Sequence, residues 1–265
     1  MAIGLSTYAF FWRTSTKVVA PISLHDMLKQ THELGCTVLQ ICDYPPIETL
    51  APSELLDIHD AAADLGVQIE LGTRGVDPAH LYRYLDIAEP LGVTLVRSML
   101  HTATHKPTTE EAIGLLKEAM PAFENQGVTV ALETYEQIPT PDLVQVIEAV
   151  GSDALGICLD PANCVAGLEL PHDVVDRTAP YVKNMHIKDF TFARQPGWIG
   201  FTLAGCPLGE GLLDYDEMVT VVDPASRGIN QIVEHWLPWQ DDAETTCSIE
   251  AQWTQHSVNY LRSKS

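Results

Sequence analysis

Basic side chains are what this sequence has least of. Only 15 Lys and Arg stand against 36 Asp and Glu in 265 residues, a net charge of -21. Charged residues total 19%, so the chain is poor in bases rather than rich in acids. Duplex nucleic acid needs clustered Lys and Arg against its phosphates, and an anionic membrane surface needs the same, so neither partner is expected. Apolar runs of roughly 18 residues are missing, which excludes a transmembrane helix on sequence grounds. The opening MAIGLSTYAFFWRTS lacks a basic start and a small-residue cleavage site. A signal peptide is therefore not expected, and a cytoplasmic location is. The six cysteines, Cys36, Cys42, Cys158, Cys164, Cys206 and Cys247, form no C-x-x-C pair. In a chain of this length they read as reduced core thiols rather than disulfide staples or zinc ligands.

What is present is a repeated unit of about 30 residues: a short apolar run, a loop, and a helical stretch closed by glycine. Strands are expected at 3–9, 37–43, 67–73, 93–99, 128–134, 154–160, 182–188 and 230–236. Helices are expected at 23–34, 52–65, 78–90, 108–126, 141–150, 171–179, 214–223 and about 243–262, with Gly35, Gly66, Gly92, Gly127 and Gly151 as stop signals. Short buried strands alternating with amphipathic helices imply a parallel sheet. Eight such pairs make a single α/β domain over 1–265, a (β/α)8 TIM barrel. The rival, a doubly wound open sheet, would carry a glycine-rich turn after its first strand, and GLSTYAFFW has none. The longest irregular stretch, about 191–213, holds Arg194, Trp198 and Phe201 and reads as a lid or substrate loop.

Barrel active sites stand at the C-terminal ends of the strands. The fifth to eighth strands end in Glu133 (ALETYE), Asp160 (CLDPAN), His186 (MHIKDF) and Glu234 (IVEHW). Taken singly, each would be a cap or a solvated loop residue; four in succession point to a site. Three carboxylates and one imidazole suit one divalent cation, Mn2+ first, with Mg2+ or Co2+ as alternatives and Zn2+ less suited.

The order Glu, Asp, His, Glu on the last four strands resembles the xylose isomerase-like superfamily of sugar isomerases and epimerases, the ketose 3-epimerases such as D-tagatose 3-epimerase above all. The resemblance runs through LETYE, the LD-x-x-N stretch, HIKD, GEGLLDY and VEHW. It implies that Glu133, Asp160, His186 and Glu234 bind the metal and that Glu133 and Glu234 are an acid/base pair flanking the reacting carbon. One departure bears on activity. Those epimerases carry His three residues after the metal Asp, where this chain has Asn163, which hydrogen-bonds a hydroxyl but cannot titrate. The metal and the acid/base pair make isomerisation or epimerisation of a small unphosphorylated keto sugar or sugar acid through an enediolate the default activity, and the missing His counts toward the alternative that follows. The same enolate forms when CO2 leaves, so the alternative is decarboxylation of a 3-oxo sugar acid, similar to the 3-oxo-isoapionate decarboxylases of the same superfamily.

Four of the scarce bases, Arg74, Arg97, Lys188 and Arg194, fall at the predicted barrel mouth. They either balance the carboxylates or bind an anionic substrate. Lys188, two residues past His186, is a candidate catalytic group. Tyr8, Arg74, Arg97, Asn163 and Arg194 are candidate substrate contacts. The rings of Tyr8, Phe10, Phe11, Trp12, Trp198, Phe201, Trp236 and Trp239 can stack on a sugar or close the mouth. His101 and His105 follow the fourth strand within reach of substrate, and His235 reads as packing. A phosphate loop is not apparent, GCPLGEG being a weak one. An endonuclease IV-like DNA repair enzyme shares the barrel but expects a histidine-rich trinuclear site and a basic groove. A non-catalytic sugar-binding barrel and a homo-oligomer are both compatible with the sequence.

Overall fold

The computed structural model describes residues 1–264; Ser265, the last residue of the expected domain, lies outside the described residues. Among the described residues ten strands form: β1 (Ile3–Ser6), β2 (Val38–Cys42), β3 (Gln68–Gly72), β4 (Leu95–Ser98), β5 (Thr129–Glu133), β6 (Leu155–Leu159), β7 (Val182–Ile187), β8 (Asp189–Arg194), β9 (Phe201–Cys206) and β10 (Asn230–Val233). Eight of them close into a parallel barrel in the order β1-β10-β7-β6-β5-β4-β3-β2. The main outer helices are α1 (Leu24–Glu33), α2 (Pro52–Asp64), α3 (Pro78–Leu91), α4 (Thr109–Gln126) and α5 (Thr140–Val150). A short α6 (Pro161–Cys164) precedes α7 (Pro171–Thr178), α8 (Tyr215–Val222), α9 (Pro224–Arg227) and the closing α10 (Ala243–Ser263). This is the expected (β/α)8 barrel. Among the described residues no helix is long and apolar enough to cross a membrane.

The helices start and stop for local reasons. Ser23 and Thr108 cap α1 and α4 with reciprocal side-chain bonds to Asp26 and Glu111. Gly127 and Gly151 close α4 and α5 at φ of 70° and 67°, a region that costs a side chain but not glycine.

Two expectations need correction. The first strand ends at Ser6, not at residue 9, because the Ser6 hydroxyl accepts from Tyr8 N–H and turns Thr7–Phe10 into a 3-10 turn. The irregular stretch at 191–213 is largely ordered: β8 and β9 form an antiparallel hairpin from Asp189↔Cys206 to Arg194↔Phe201. Its turn contains Pro196-Gly197, with Gly197 at φ 78°, a turn signal legible in the sequence. Beyond the hairpin, the Asp189 carboxylate accepts from the N–H groups of Gly209, Gly211 and Leu213 at 2.9–3.0 Å. A Cβ at Gly211 would lie 2.3 Å from Asp189 Oδ1, so the GEGLLDY segment needs glycine to wrap this carboxylate.

Register stacks the barrel interior in layers. Glu133 pairs with Cys158, and Cys158 with Asn184. Asp160 and His186 lie two residues further along their strands. Ile232 pairs with His186, which puts Glu234, like Lys188, two residues nearer the mouth.

Candidate metal and active site

Local devices deliver three of the four predicted ligands, and His186 stands within β7 itself. Thr134 Oγ1 accepts from Asp160 N–H at 2.8 Å and donates to Asp160 C=O at 3.0 Å, tying the ends of β5 and β6 together. Asp160 then caps α6, its Oδ1 accepting from Asn163 N–H at 3.4 Å, with Pro161 at the first helical position. That turn carries the Asn163 amide over Glu133, where its Nδ2 donates to Oε1 at 2.8 Å. Glu234 prolongs the β10 ladder by one bond, its N–H donating to Ile187 C=O at 3.2 Å.

The four side chains converge. His186 Nδ1 lies 3.4 Å from Glu133 Oε1, 3.7 Å from Asp160 Oδ2 and 3.5 Å from Glu234 Oε1. All four residues are buried, and one donor atom of each lies within 4.8 Å of the others. None of Glu133 Oε2, Asp160 Oδ2, His186 Nδ1 and Glu234 Oε1 has a partner in hydrogen-bond geometry, and His186 Nδ1 and Glu234 Oε1 have no Lys or Arg beside them either. Buried polar atoms are rarely left so. Ligands about 2.1 Å from one cation are about 3.0–3.4 Å apart in octahedral or tetrahedral arrangement. The spacing, the orphaned atoms and the donor chemistry therefore fit one divalent ion. Cys42, His186 and Glu234 also form a close group, but burial pushes the Cys42 thiol well up, and it donates to Gln40 Oε1 at 3.0 Å. Burial likewise raises Cys158, to about 11. Among the described residues all six cysteines are free, four of them buried.

Two of the scarce cations are buried against the carboxylates. Arg97 contacts Glu133 Oε2 and lies 3.7 Å from Asp43 Oδ2. Burial alone would raise the Glu133 carboxyl; the Arg97 guanidinium and then His186 more than reverse this and hold it below the ordinary carboxylate range. Lys188 Nζ forms an ion pair 2.7 Å from Asp160 Oδ2, outside hydrogen-bond geometry, and donates to Glu234 Oε2 at 3.2 Å. It also sits 4.5 Å above the Trp236 ring. Burial opposes its charge, but Asp160, Glu234 and Glu133 raise it above the usual lysine value.

Arg74 stands further out, half exposed. Its Nε and NH2 donate to the two oxygens of Asp43 at 3.0 and 2.8 Å, and NH2 reaches Tyr8 Oη at 3.0 Å. Tyr8 donates to Asp43 Oδ2 at 2.7 Å. Asp43 is held at φ 47°, an uncommon region for a residue with a side chain. Burial acts to raise its carboxyl; Arg97 and Arg74 bring it below the usual range. Tyr8, Arg74, Arg97, Asn163 and Lys188 thus belong to one connected group. Arg194 is not seen in it: it is exposed at the end of β8, its guanidinium 4.9 Å from the Trp198 ring and 4.6 Å from Phe201. The four bases expected at the mouth are therefore three in this group and one on the hairpin.

Beside Tyr8 and Trp236 opens a cavity of about 310 Å3, walled also by Phe11, Leu203, Ala204 and Leu237. A larger one, about 480 Å3, opens at the opposite, N-terminal ends of β3 and β4 and includes Glu70 and Asn230. His235 packs as expected, with Nε2 3.2 Å from Thr254 Oγ1 and its pKa lowered to about 3 by burial. His101 is half-buried against Tyr135, and His105 is exposed.

Sequence reasoning missed Asp43 and a polar layer inside the barrel. Gln40 Nε2 donates to Glu70 Oε2 and Asn184 Oδ1 at 2.9 and 3.0 Å, and His186 Nε2 meets Gln40 Oε1 at 2.7 Å. The signal was available: a polar residue inside the apolar runs VLQIC and QIELG, the same signal that marked Glu133.

The family model described as xylose isomerase-like TIM barrel matches residues 28–264. The chain is 58% identical over 261 residues to the 3-oxo-isoapionate decarboxylase of Pectobacterium atrosepticum, covering 98% of this chain and 95% of that protein. Two solved structures share the fold. A xylose isomerase-like TIM barrel protein from Mycobacterium smegmatis in complex with magnesium has TM-score 0.72 and 20% identity, covering 98% of this chain and 97% of that one. D-psicose 3-epimerase with D-tagatose from Clostridium cellulolyticum H10 has TM-score 0.75 and 13% identity, covering 99% and 98%.

Proposed function

Because the chain belongs to the xylose isomerase-like TIM barrel family, we propose that it is a divalent-metal-dependent decarboxylase of a small 3-oxo sugar acid, of the 3-oxo-isoapionate kind. The observation that carries this reading is the 58% identity over nearly the whole chain to a decarboxylase of that name. The sequence placed isomerisation or epimerisation first and decarboxylation second; that relative reverses the order.

Charge supports the reading. Counting only the four ligands, with His186 neutral as it would be on an ion, and the cations paired with them, three carboxylates against Arg97 and Lys188 leave one negative charge, and Asp43 with Arg74 adds a neutral pair. One divalent ion turns that excess into a single positive charge, which the carboxylate of a sugar acid neutralises and a neutral ketose does not. Glu133, Asp160, His186 and Glu234 would hold the ion, Mn2+ suiting this oxygen-rich set with one imidazole. The ion would supply Lewis acidity to the 3-oxo oxygen, where negative charge develops as the C–C bond to the carboxylate breaks and CO2 leaves. The half-exposed Arg74, backed by Asp43 and Tyr8, would hold the substrate's anionic end, and the apolar wall of Tyr8, Phe11 and Trp236 would exclude water from it. Lys188, kept protonated between Asp160 and Glu234, gives a proton to the carbon that lost CO2 and recovers one from solvent.

Epimerisation asks more of Glu133, which must exchange a proton with substrate. Arg97 and Asn163 both stabilise its ionised form, and Asn163 replaces the titrating His of the resembling epimerases.

The experiment is a screen of 3-oxo sugar acids and ketoses with Mn2+, following CO2 release and solvent deuterium in recovered substrate. CO2 from an oxo sugar acid is the expected result. Deuterium exchange into a ketose without CO2 from any acid would sink the decarboxylase reading in favour of the isomerase.

A further inference from the structure

His186 can offer a cation only one nitrogen, and the one it offers is decided by a chain of hydrogen bonds that begins at the far end of the barrel. Ala2 N–H, a backbone group that can only donate, gives its proton to Asn230 Oδ1 at 3.0 Å. The Asn230 amide must then present Nδ2 to Glu70 Oε1, at 2.8 Å. The other oxygen, Oε2, accepts from Gln40 Nε2 at 2.9 Å and from Asn184 Nδ2 at 3.0 Å. With Asn184 Nδ2 committed to Glu70, its Oδ1 is left to accept the second proton of Gln40 Nε2, at 3.0 Å. Both protons of the Gln40 amide are therefore used on the side away from the site, and Oε1 alone faces His186 Nε2 at 2.7 Å. A carbonyl oxygen only accepts, so Nε2 carries a proton and Nδ1 is the nitrogen left to meet a cation. Nδ1 is the atom that points at Glu133, Asp160 and Glu234. Gln40, Glu70, Asn184 and His186 are all buried.

We infer that Gln40 is a positioning residue for the metal site: held in one orientation by Glu70 and Asn184, it fixes the tautomer and ring plane of His186, so that Nδ1 is presented as the ligand. This rests on the metal reading above and adds to it a residue outside the cluster, on β2, that touches neither substrate nor ion. Groups of this kind orient metal-binding histidines and change affinity without contacting the ion.

Two measurements test it. In histidine-15N protein loaded with Zn2+ as a diamagnetic probe, His186 is expected to show a protonated Nε2 and a metal-bound Nδ1; coordination through Nε2 overturns the inference without any variant. Second, Gln40→Met, close in size but unable to accept, is expected to weaken Mn2+ binding about 10–100-fold in competition with a chelator. Glu70→Gln, which frees the Gln40 amide to turn over, is expected to weaken it by a smaller factor. A Gln40→Met variant that loses thermal midpoint but binds Mn2+ as tightly as wild type has a merely structural Gln40, and overturns the inference alone. Wild-type protein that binds no divalent ion overturns the metal reading and this inference together.

Discussion

Asn163 donates its side-chain amide to Glu133 Oε1 at 2.8 Å, and the same carboxylate meets Arg97 through its other oxygen. Glu133 is thus stabilised as an anion from two sides before any ion or substrate arrives. Asn163→Asp would replace the donor by a fourth carboxylate. Activity in this variant is expected to fall at least 100-fold, read as kcat/KM for CO2 release; Asn163→Ala is expected to lose about 1–3 kcal/mol of the same quantity, the cost of one hydrogen bond to a buried charge.

Removing the ion is expected to remove both activity and part of the stability. Dialysis against chelator should abolish turnover, and Mn2+ should restore it at about one ion per chain, counted by elemental analysis. Thermal midpoint should fall on removal, because an ion at about 100 times its Kd stabilises the folded state by about 2.7 kcal/mol. Full activity in metal-free protein would end the metal reading.

Lys188→Met is expected to lower kcat by about 10^2–10^4, the range of a lost general acid, while Mn2+ affinity and KM change far less. A variant that still releases CO2 at the wild-type rate removes Lys188 from the chemistry.

Arg74 and Arg194 separate the two kinds of surface base. Arg74→Ala is expected to raise KM for the sugar acid about 10-fold or more with little change in kcat. Arg194→Ala, on the hairpin over Trp198 and Phe201, is expected to leave both within about twofold. Steady-state kinetics on the two variants decide it.

Asp43 gives a pH prediction with a definite sign. Its carboxyl is depressed in the folded protein by Arg97 and Arg74 against the pull of burial. Its stabilising effect is therefore complete above the unfolded value, about pH 4, and is lost as pH falls from there through the folded value. Asp43→Asn should lower the thermal midpoint by a constant few degrees between about pH 6 and 8, and the gap from wild type should close below about pH 4. A gap that instead widened in acid would mean the carboxyl is raised, not depressed.

The sequence alone determined the barrel and the four converging side chains. Strand–helix alternation is a short-range pattern, and a polar residue closing an apolar strand is visible within one segment of chain; Glu133, Asp160, His186 and Glu234 were all legible that way. The extent of β1 and the order within 191–213 were not read, although the Ser6 cap and the Pro196-Gly197 turn carried the signal. The tertiary structure decided which partner each base meets. It spent Arg97 and Lys188 on the carboxylates, set Arg74 on Asp43, placed Arg194 on the hairpin, and joined His186 to Gln40 across the barrel. No local spacing encodes those partners, because His186 and Gln40 are 146 residues apart in sequence and meet only when the sheet closes. Charge pairing and hydrogen bonding depend on distance in space, and in a closed barrel that distance is set by register around all eight strands.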